Sequence, residues 1–329
     1  MKTVRIYYVD FWKNFDRENF LFTQILRKEY EVVFDKDNPE IVFCSVFGTE
    51  YLKYKCPRVV FIGEPQTPDF NLYDYAVGFD YITFMDRYIR FPLYLMNTEL
   101  YNMALNKSKM SDEEFLSRKK FCSFVVSAGG GEGDIRTKVF NELSKYKKVD
   151  SGGRYMNNLT DGNPVPDKLE FQKDYRFSIS MENSAISGYT TEKIIDAWAA
   201  GTIPIYWGNP DITKEFNKNA FINVSDFESI DELVKYVTKL DSDEEAYLRM
   251  CHEPIISIEV NDPYVELEKF LVNIVETDEN KRFRRSSRFT MWGKIYEYNF
   301  VKMDKINKNK VVESLRKVKR KFFGLKRIE

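Results

Sequence analysis

The chain has 329 residues, with 50 Lys and Arg against 51 Asp and Glu; 43% are hydrophobic and 31% charged. This composition excludes a disordered chain and a membrane bundle, the length suits two domains, and a single histidine, His252, all but excludes His-based catalytic triads and His-rich metal sites. No window approaches the ~18 consecutive apolar residues of a bilayer span, and the N-terminal MKTVRIYYVDFWKNF lacks an apolar core before a small-residue cleavage site, so no signal peptide is expected.

Along the first third, short β-rich runs alternate with helical patterns. Residues 4–9 read as a strand, and 17–29 as a helix with Phe20, Leu21, Ile25 and Leu26 on one side. Residues 31–35, 41–48 and 58–64 read as further strands. Strand–helix alternation implies βαβ units and a parallel sheet, whose ligands bind beyond the carboxyl ends of strands. Glu64 lies at such an end, in the turn Gly63-Glu64-Pro65. A carboxylate held there could take a proton from a hydroxyl; an ordinary loop carboxylate is the alternative. Residues 98–118 are polar and helical in pattern, and suit an interdomain connection.

A second series begins near residue 119. The strand 121–127 leads into the glycine-rich turn AGGGEG (128–133) and a helix over 134–143. Strand 176–182 is followed by a loop to residue 190, a helix over 191–201 ending at Gly201, and a strand over 202–208. Two doubly wound domains in tandem suit a nucleotide-sugar enzyme. Thr190 or Thr191 would cap the helix, with Glu192 in the first turn, where the dipole favours a carboxylate. Lys193 is disfavoured there unless an anion binds. Free amides plus Lys193 would then clamp a pyrophosphate; a solvated lysine is the alternative. Arg136, at the start of the helix after AGGGEG, repeats the anomaly. No G-x-x-x-x-G-K-[ST] signature is present, so ATPase or kinase chemistry is unsupported. Asp241-Ser242-Asp243 fits helix capping better than a metal motif, and His252 has no visible partner.

The four cysteines (Cys44, Cys56, Cys122, Cys251) form no C-x-x-C pair, which suits a reducing compartment. Charge is uneven. Residues 281–329 hold 17 Lys and Arg against 4 Asp and Glu, a net of +13 that leaves −14 on 1–280. An acidic body argues against a nucleic-acid partner. In the tail, Val311, Leu315, Val318, Phe322 and Leu325 fall on one helical face among basic residues, the pattern of a helix lying on an anionic membrane surface; a packed C-terminal helix is the alternative.

The stretch FSISMENSAISGYTTEKIIDAWAAGTIPIYWGNPDI (177–212) closely resembles the donor-site signature of α1,3-fucosyltransferases, carbohydrate-active family ten. VVFIGEPQTPDFNLYDYAVGFDYI (59–82) and DRYIRFPLYL (86–95) resemble acceptor-domain motifs of its bacterial members, so the resemblance covers most of residues 1–275. It implies an α/β fold of GT-B type: an N-terminal acceptor-binding Rossmann-like domain (1–115) and a GDP-fucose-binding one (116–280) facing it across a cleft. A C-terminal helical region with the membrane-associating tail (281–329) follows. It also implies inverting transfer of L-fucose from GDP-β-L-fucose to O3 of GlcNAc in N-acetyllactosamine-type acceptors, giving Lewis-antigen-like products. By position, Glu64 matches the general base. Arg136 and Lys193 match pyrophosphate contacts, and Glu192 a nucleotide-sugar hydroxyl contact. Tyr189 and Asn183 fall in the donor pocket. No tightly bound cofactor is expected, with Mn or Mg at most stimulatory. The expected location is the cytoplasmic face of the bacterial membrane. A transferase using another nucleotide sugar, or a non-catalytic sugar-binding module, is the competing reading. The AGGGEG turn departs from the Asn/Pro-containing turn of the family, and Phe61 stands where Tyr is expected.

Overall fold

A computed structural model describes residues 1–256, 262–309, 312 and 314. Their contacts form two compact units. One comprises Met1–Gly78, Ile82–Ile89 and the described residues from Pro263 on; the other comprises Phe79–Tyr81 and Arg90–Asp262.

The first unit is built on a six-stranded sheet. Its strands are β1 (Lys2–Val9), β2 (Tyr30–Phe34), β3 (Ile41–Cys44), β4 (Arg58–Phe61), β5 (Tyr75–Gly78) and β6 (Tyr88–Arg90), in the order β2-β1-β3-β4-β5-β6. β1 to β5 pair in parallel, with Val9 opposite Cys44 and Cys44 opposite Val60. Parallel strands covered on both faces read as continuous apolar runs, and every residue of β3 and β4 is buried. β3 and β4 are shorter than expected: Phe61 packs against Phe20 and Phe22, and the chain then turns out towards Glu64. The helix expected over 17–29 is confined to α1 (Leu21–Leu26). Asp16 accepts hydrogen bonds from the Glu18 and Asn19 amides, an Asx turn that competes with helix, and Phe20 is extended.

The second unit starts with α2 (Thr98–Asn106) and α3 (Asp112–Leu116). β7 (Lys120–Phe124), α4 (Ile135–Tyr146), β8 (Val149–Ser151), α5 (Lys168–Gln172), β9 (Tyr175–Met181) and α6 (Glu192–Ala199) follow. β10 (Ile203–Trp207), β11 (Ile222–Asn223), α7 (Ile230–Ser242) and α8 (Glu244–His252) complete it. Its five strands are all parallel, in the order β11-β10-β9-β7-β8. From β7 the chain goes to β8 on one side and to β9 on the other, so the switch point of this sheet lies between β7 and β9.

The units divide the chain differently from boundaries at 115/116 and 280/281. Residues 98–118 pack within the second unit: α2 lies on α6, Arg118 donates to the Ala200 carbonyl, and the buried Lys107 donates to the Met250 carbonyl. Past the second unit come α9 (Pro263–Glu276), α10 (Glu279–Arg282), α11 (Ser286–Phe289) and α12 (Met291–Asn307), which join the first unit. α9 packs on α1, Glu276 accepts from Lys2 and Tyr30, and Arg285 pairs with the fully buried Asp74 at 2.5 Å. The amphipathic tail helix expected around residues 311–325 lies outside the described residues, apart from Val312 and Ser314.

Candidate active site

In doubly wound sheets the site forms at the carboxyl ends of the strands flanking the switch point. In the second unit these are β7, leading through the glycine turn to α4, and β9, leading to α6.

α4 begins at Asp134, whose carboxylate caps the helix by accepting the Arg136 amide at 2.9 Å and also accepts the Gly130 amide at 2.8 Å. The same carboxylate pairs with the Arg136 guanidinium at 2.6 Å. Arg136 is thus a neutralised, oriented cation, not a bare one. The burial of Asp134 works against its charge, but the bonds from Arg136 and Gly130 prevail and lower its pKa to about 2. Residues 128–133 are exposed, and two of the glycines have a local reason, one of conformation and one of space. Gly131 has φ +78°, and a Cβ on Gly129 would sit 2.3 Å from the Tyr155 ring.

β9 ends in Met181, and the next residue, Glu182, is completely buried. Its carboxylate accepts from the Thr191 amide (2.7 Å), the Thr191 hydroxyl (2.7 Å) and Lys193 Nζ (3.0 Å). Lys193 Nζ also donates to Thr191 Oγ1 at 2.7 Å and lies 3.6 Å from Glu192. Burial raises the Glu182 pKa, and Lys193 and Thr191 only partly offset it. For Lys193, burial opposes the charge, but Glu182 and Glu192 outweigh it and raise the pKa. Burial acts against ionised Glu192 too, and Lys193 and Lys168 still hold it below the usual carboxylate range.

Thr191 occupies the N-cap position, as expected. However, its hydroxyl makes no capping bond: it is engaged by Glu182 and Lys193. α6 ends at Ala199, two residues before the predicted stop at Gly201, which follows the C-cap with a φ of +75° that a side chain would strain. Tyr189 is buried with its ring 5.1 Å from that of Phe79, while Asn183 is exposed. Asp243 caps α8, as the spacing suggested. His252 does have a partner: Nε2 lies 2.6 Å from Asp112 and Nδ1 3.1 Å from the Ser108 carbonyl.

In the first unit, Glu64 is half-buried in the bend after β4. Two exposed aromatics share that sheet edge. Trp12 follows the end of β1, Phe47 the end of β3 and Glu64 the end of β4, each by three residues, on three neighbouring strands. Trp12 sits on an aromatic cluster of Tyr8, Phe11, Phe15 and Phe20. The sequence signal for Trp12 and Phe47 was only their place in strand-end loops. Nothing in the spacing singled out Glu182 or Asp134 as partners of the two cations.

Two family models match this chain: the alpha-(1,3)-fucosyltransferase FucT N-terminal domain over residues 6–97, and the glycosyltransferase family 10 (fucosyltransferase) C-terminal domain over 115–252. The chain belongs to glycosyltransferase family 10. It is 35% identical over 274 residues to the alpha-(1,3)-fucosyltransferase FucT of Helicobacter pylori, an alignment covering 72% of this chain and 56% of that one. It is 33% identical over 138 residues to the mouse 4-galactosyl-N-acetylglucosaminide 3-alpha-L-fucosyltransferase 9, covering 41% and 37%. The chain therefore spans about half the length of these relatives, or less. Among solved structures, an alpha1,3-fucosyltransferase superposes with a TM-score of 0.72 at 29% identity, covering 84% of this chain and 91% of that one. A structure of an alpha1,3-fucosyltransferase with GDP-fucose gives 0.71, covering 86% and 93%. The fold is GT-B.

Proposed function

We propose that this protein is an inverting α1,3-fucosyltransferase, moving L-fucose from GDP-β-L-fucose to O3 of GlcNAc in N-acetyllactosamine-type glycans. The observation that carries the reading is the helix start at Lys193. There an ammonium, anchored by the wholly buried Glu182, stands beside the free amides of α6, an arrangement suited to an anion. The donor is supported by the solved relative that holds GDP-fucose. The acceptor is supported by the mouse relative's name and by exposed aromatics beside a carboxylate at one sheet edge, a surface suited to stacking on sugar rings.

Fucose departs as positive charge builds on its ring, while the GDP diphosphate gains negative charge. Arg136, Lys193 and the α6 amides stabilise the latter. Glu64 accepts the proton of the acceptor O3 hydroxyl as that oxygen forms the new bond to the fucose anomeric carbon and the bond to GDP breaks. Glu192 holds a nucleotide-sugar hydroxyl, and Tyr189 and Asn183 complete the donor pocket. Mn or Mg would be stimulatory and not tightly bound. Lewis-antigen-like decoration of lipopolysaccharide or capsule, at the cytoplasmic face of the membrane through the basic tail, completes the proposal.

The test is transfer from GDP-fucose to type 1 and type 2 disaccharides, with the linkage read by NMR. An α1,3-fucosylated GlcNAc is expected. Turnover of another nucleotide sugar with none from GDP-fucose would overturn the donor, and the absence of any transfer together with sugar binding would favour a lectin-like module.

A further inference from the structure

The amino-terminal edge of the first sheet carries a cavity of about 540 Å³ that the proposed reaction does not use. One wall is the segment leading into β4, with Lys53, Tyr54 and Lys55; the other is α11 and α12, with Arg288, Lys294 and Tyr298; Arg58 and Arg285 form the floor. Arg58 is the first residue of β4, whereas Glu64 follows its last, so the cavity and the proposed base lie at opposite edges of one sheet.

The lining is strongly unbalanced in charge. It holds six cations and one carboxylate, Glu297, which pairs with Arg58 at 2.9 Å. Arg285 pairs with Asp74 behind the floor, and Lys53 with Glu50. Among the described residues, Lys55, Arg288 and Lys294 have no carboxylate partner, although all three are exposed. Arg285 is 4% exposed, and its buried Nε has no hydrogen-bond acceptor. Burial lowers the pKa of Arg285, and although Asp74 opposes this, the neighbouring Arg58 lowers it further. Glu297 and Asp74 already compensate the two buried guanidiniums, so the unmet charge in this lining is that of the three rim cations, Lys55, Arg288 and Lys294. Arginine and lysine in this density suit phosphate oxygens, and Tyr54, Tyr298, Leu52 and Val301 supply an apolar wall.

We propose that this cavity is a second binding site, for the phosphate group of a small molecule or of a lipid headgroup. A phosphate seated there accepts from Arg288 and Lys294 at the rim.

The probe is inorganic pyrophosphate, titrated calorimetrically, with GDP at saturation to fill the donor site, into the full chain and into the Arg288→Ala/Lys294→Ala variant. Both substitutions are at exposed positions, so the variant is expected to fold, with circular dichroism as the check. Loss of two charge-assisted contacts should weaken this binding by ~100-fold or more while leaving GDP affinity unchanged. Lys193→Ala, measured in parallel with GDP again at saturation, should weaken GDP binding but leave this isotherm intact, so failure here and failure of the donor site are told apart. Equal pyrophosphate affinity in wild type and double variant, or loss of it in Lys193→Ala alone, would overturn the proposal. Sedimentation with phosphatidylglycerol vesicles identifies the source. Weaker vesicle binding by the double variant supports a lipid headgroup; unchanged vesicle binding with weakened pyrophosphate binding supports a soluble phosphate.

Discussion

Arg136 gives the most discriminating experiment on the donor site, because it comes with its own counter-charge. Its side chain is 12% exposed and its guanidinium lies 2.6 Å from Asp134. Arg136→Ala therefore does two things: it removes a cation and uncovers a carboxylate. A charge-assisted contact to a bound diphosphate is worth ~1.5–3 kcal/mol. Without Arg136, Asp134 keeps the bonds from the Gly130 and residue-136 amides, which favour its charged form near neutral pH. At an effective dielectric of about 20, a carboxylate about 7 Å from the diphosphate repels each unit charge by ~2 kcal/mol before salt screening. Together these predict a loss of ~3–4 kcal/mol in GDP binding, on the order of 100- to 1,000-fold. In Asp134→Asn/Arg136→Ala the uncovered charge is gone, while Asn still caps α4. The double variant should bind GDP ~5- to 30-fold more tightly than the single one. Titration calorimetry of both variants and wild type at low salt measures this. A double variant that binds no better than Arg136→Ala refutes the reasoning, because Asp134 would then be electrostatically silent at the site.

Glu64→Ala should lower fucose transfer by ~100-fold or more with GDP binding intact; turnover close to wild type removes Glu64 from the mechanism. Trp12→Ala should raise the acceptor KM by ~5- to 10-fold, with donor affinity unchanged, as lost stacking predicts; an unchanged acceptor KM would clear Trp12 of any role. Gly188→Ala should lower stability by ~2 kcal/mol or more, because φ is +79° and a Cβ would stand 2.5 Å from the Phe79 carbonyl; a melting temperature within a degree of wild type contradicts that geometry. Asp134 stabilises the native state above its ordinary pKa of 3.8, and that contribution is lost as pH falls towards about 2. Asp134→Asn should thus be less stable than wild type at pH 6 by ~1–2 kcal/mol, with the gap closing near pH 2 in urea titrations; a gap independent of pH would mean a different cause.

The sheets were legible where apolar and β-branched residues run together, whether the strand is buried along nearly its whole length, as β9 is, or half-exposed at an edge, as β2 is. VRIYYV, EVVFD and RFSISME declare themselves by apolar density, and β1, β2 and β9 lie on them. β6 and β11, of three and two residues, are too short to carry a period. Residues 98–118 looked like a connection because polar side chains dominate them. Yet Lys107 and Arg118 are buried and donate to carbonyls of residues 143 and 82 positions away, and no local pattern can anticipate that.

The site was legible as an inconsistency rather than a motif. A lysine in the first turn of a helix violates the dipole rule, which pointed to a bound anion. Part of the answer lies within the chain: Glu182, nine residues before Thr191, gives Lys193 a permanent partner. That partner does not remove the case for a ligand. An ammonium has three donors, and two are taken, by Glu182 at 3.0 Å and Thr191 at 2.7 Å. Glu192, at 3.6 Å, is too far to accept the third. The Lys193 side chain is only 18% exposed, and the two bonds made by Nζ fix where its remaining N–H points. A flexible lysine must lose its rotamer freedom when an anion arrives; this one has lost it already, to a carboxylate that burial prevents from leaving. Glu182 thus weakens the charge that a diphosphate would meet but removes the entropic cost of meeting it. That exchange favours a site that must hold one phosphate geometry over one that only collects anions.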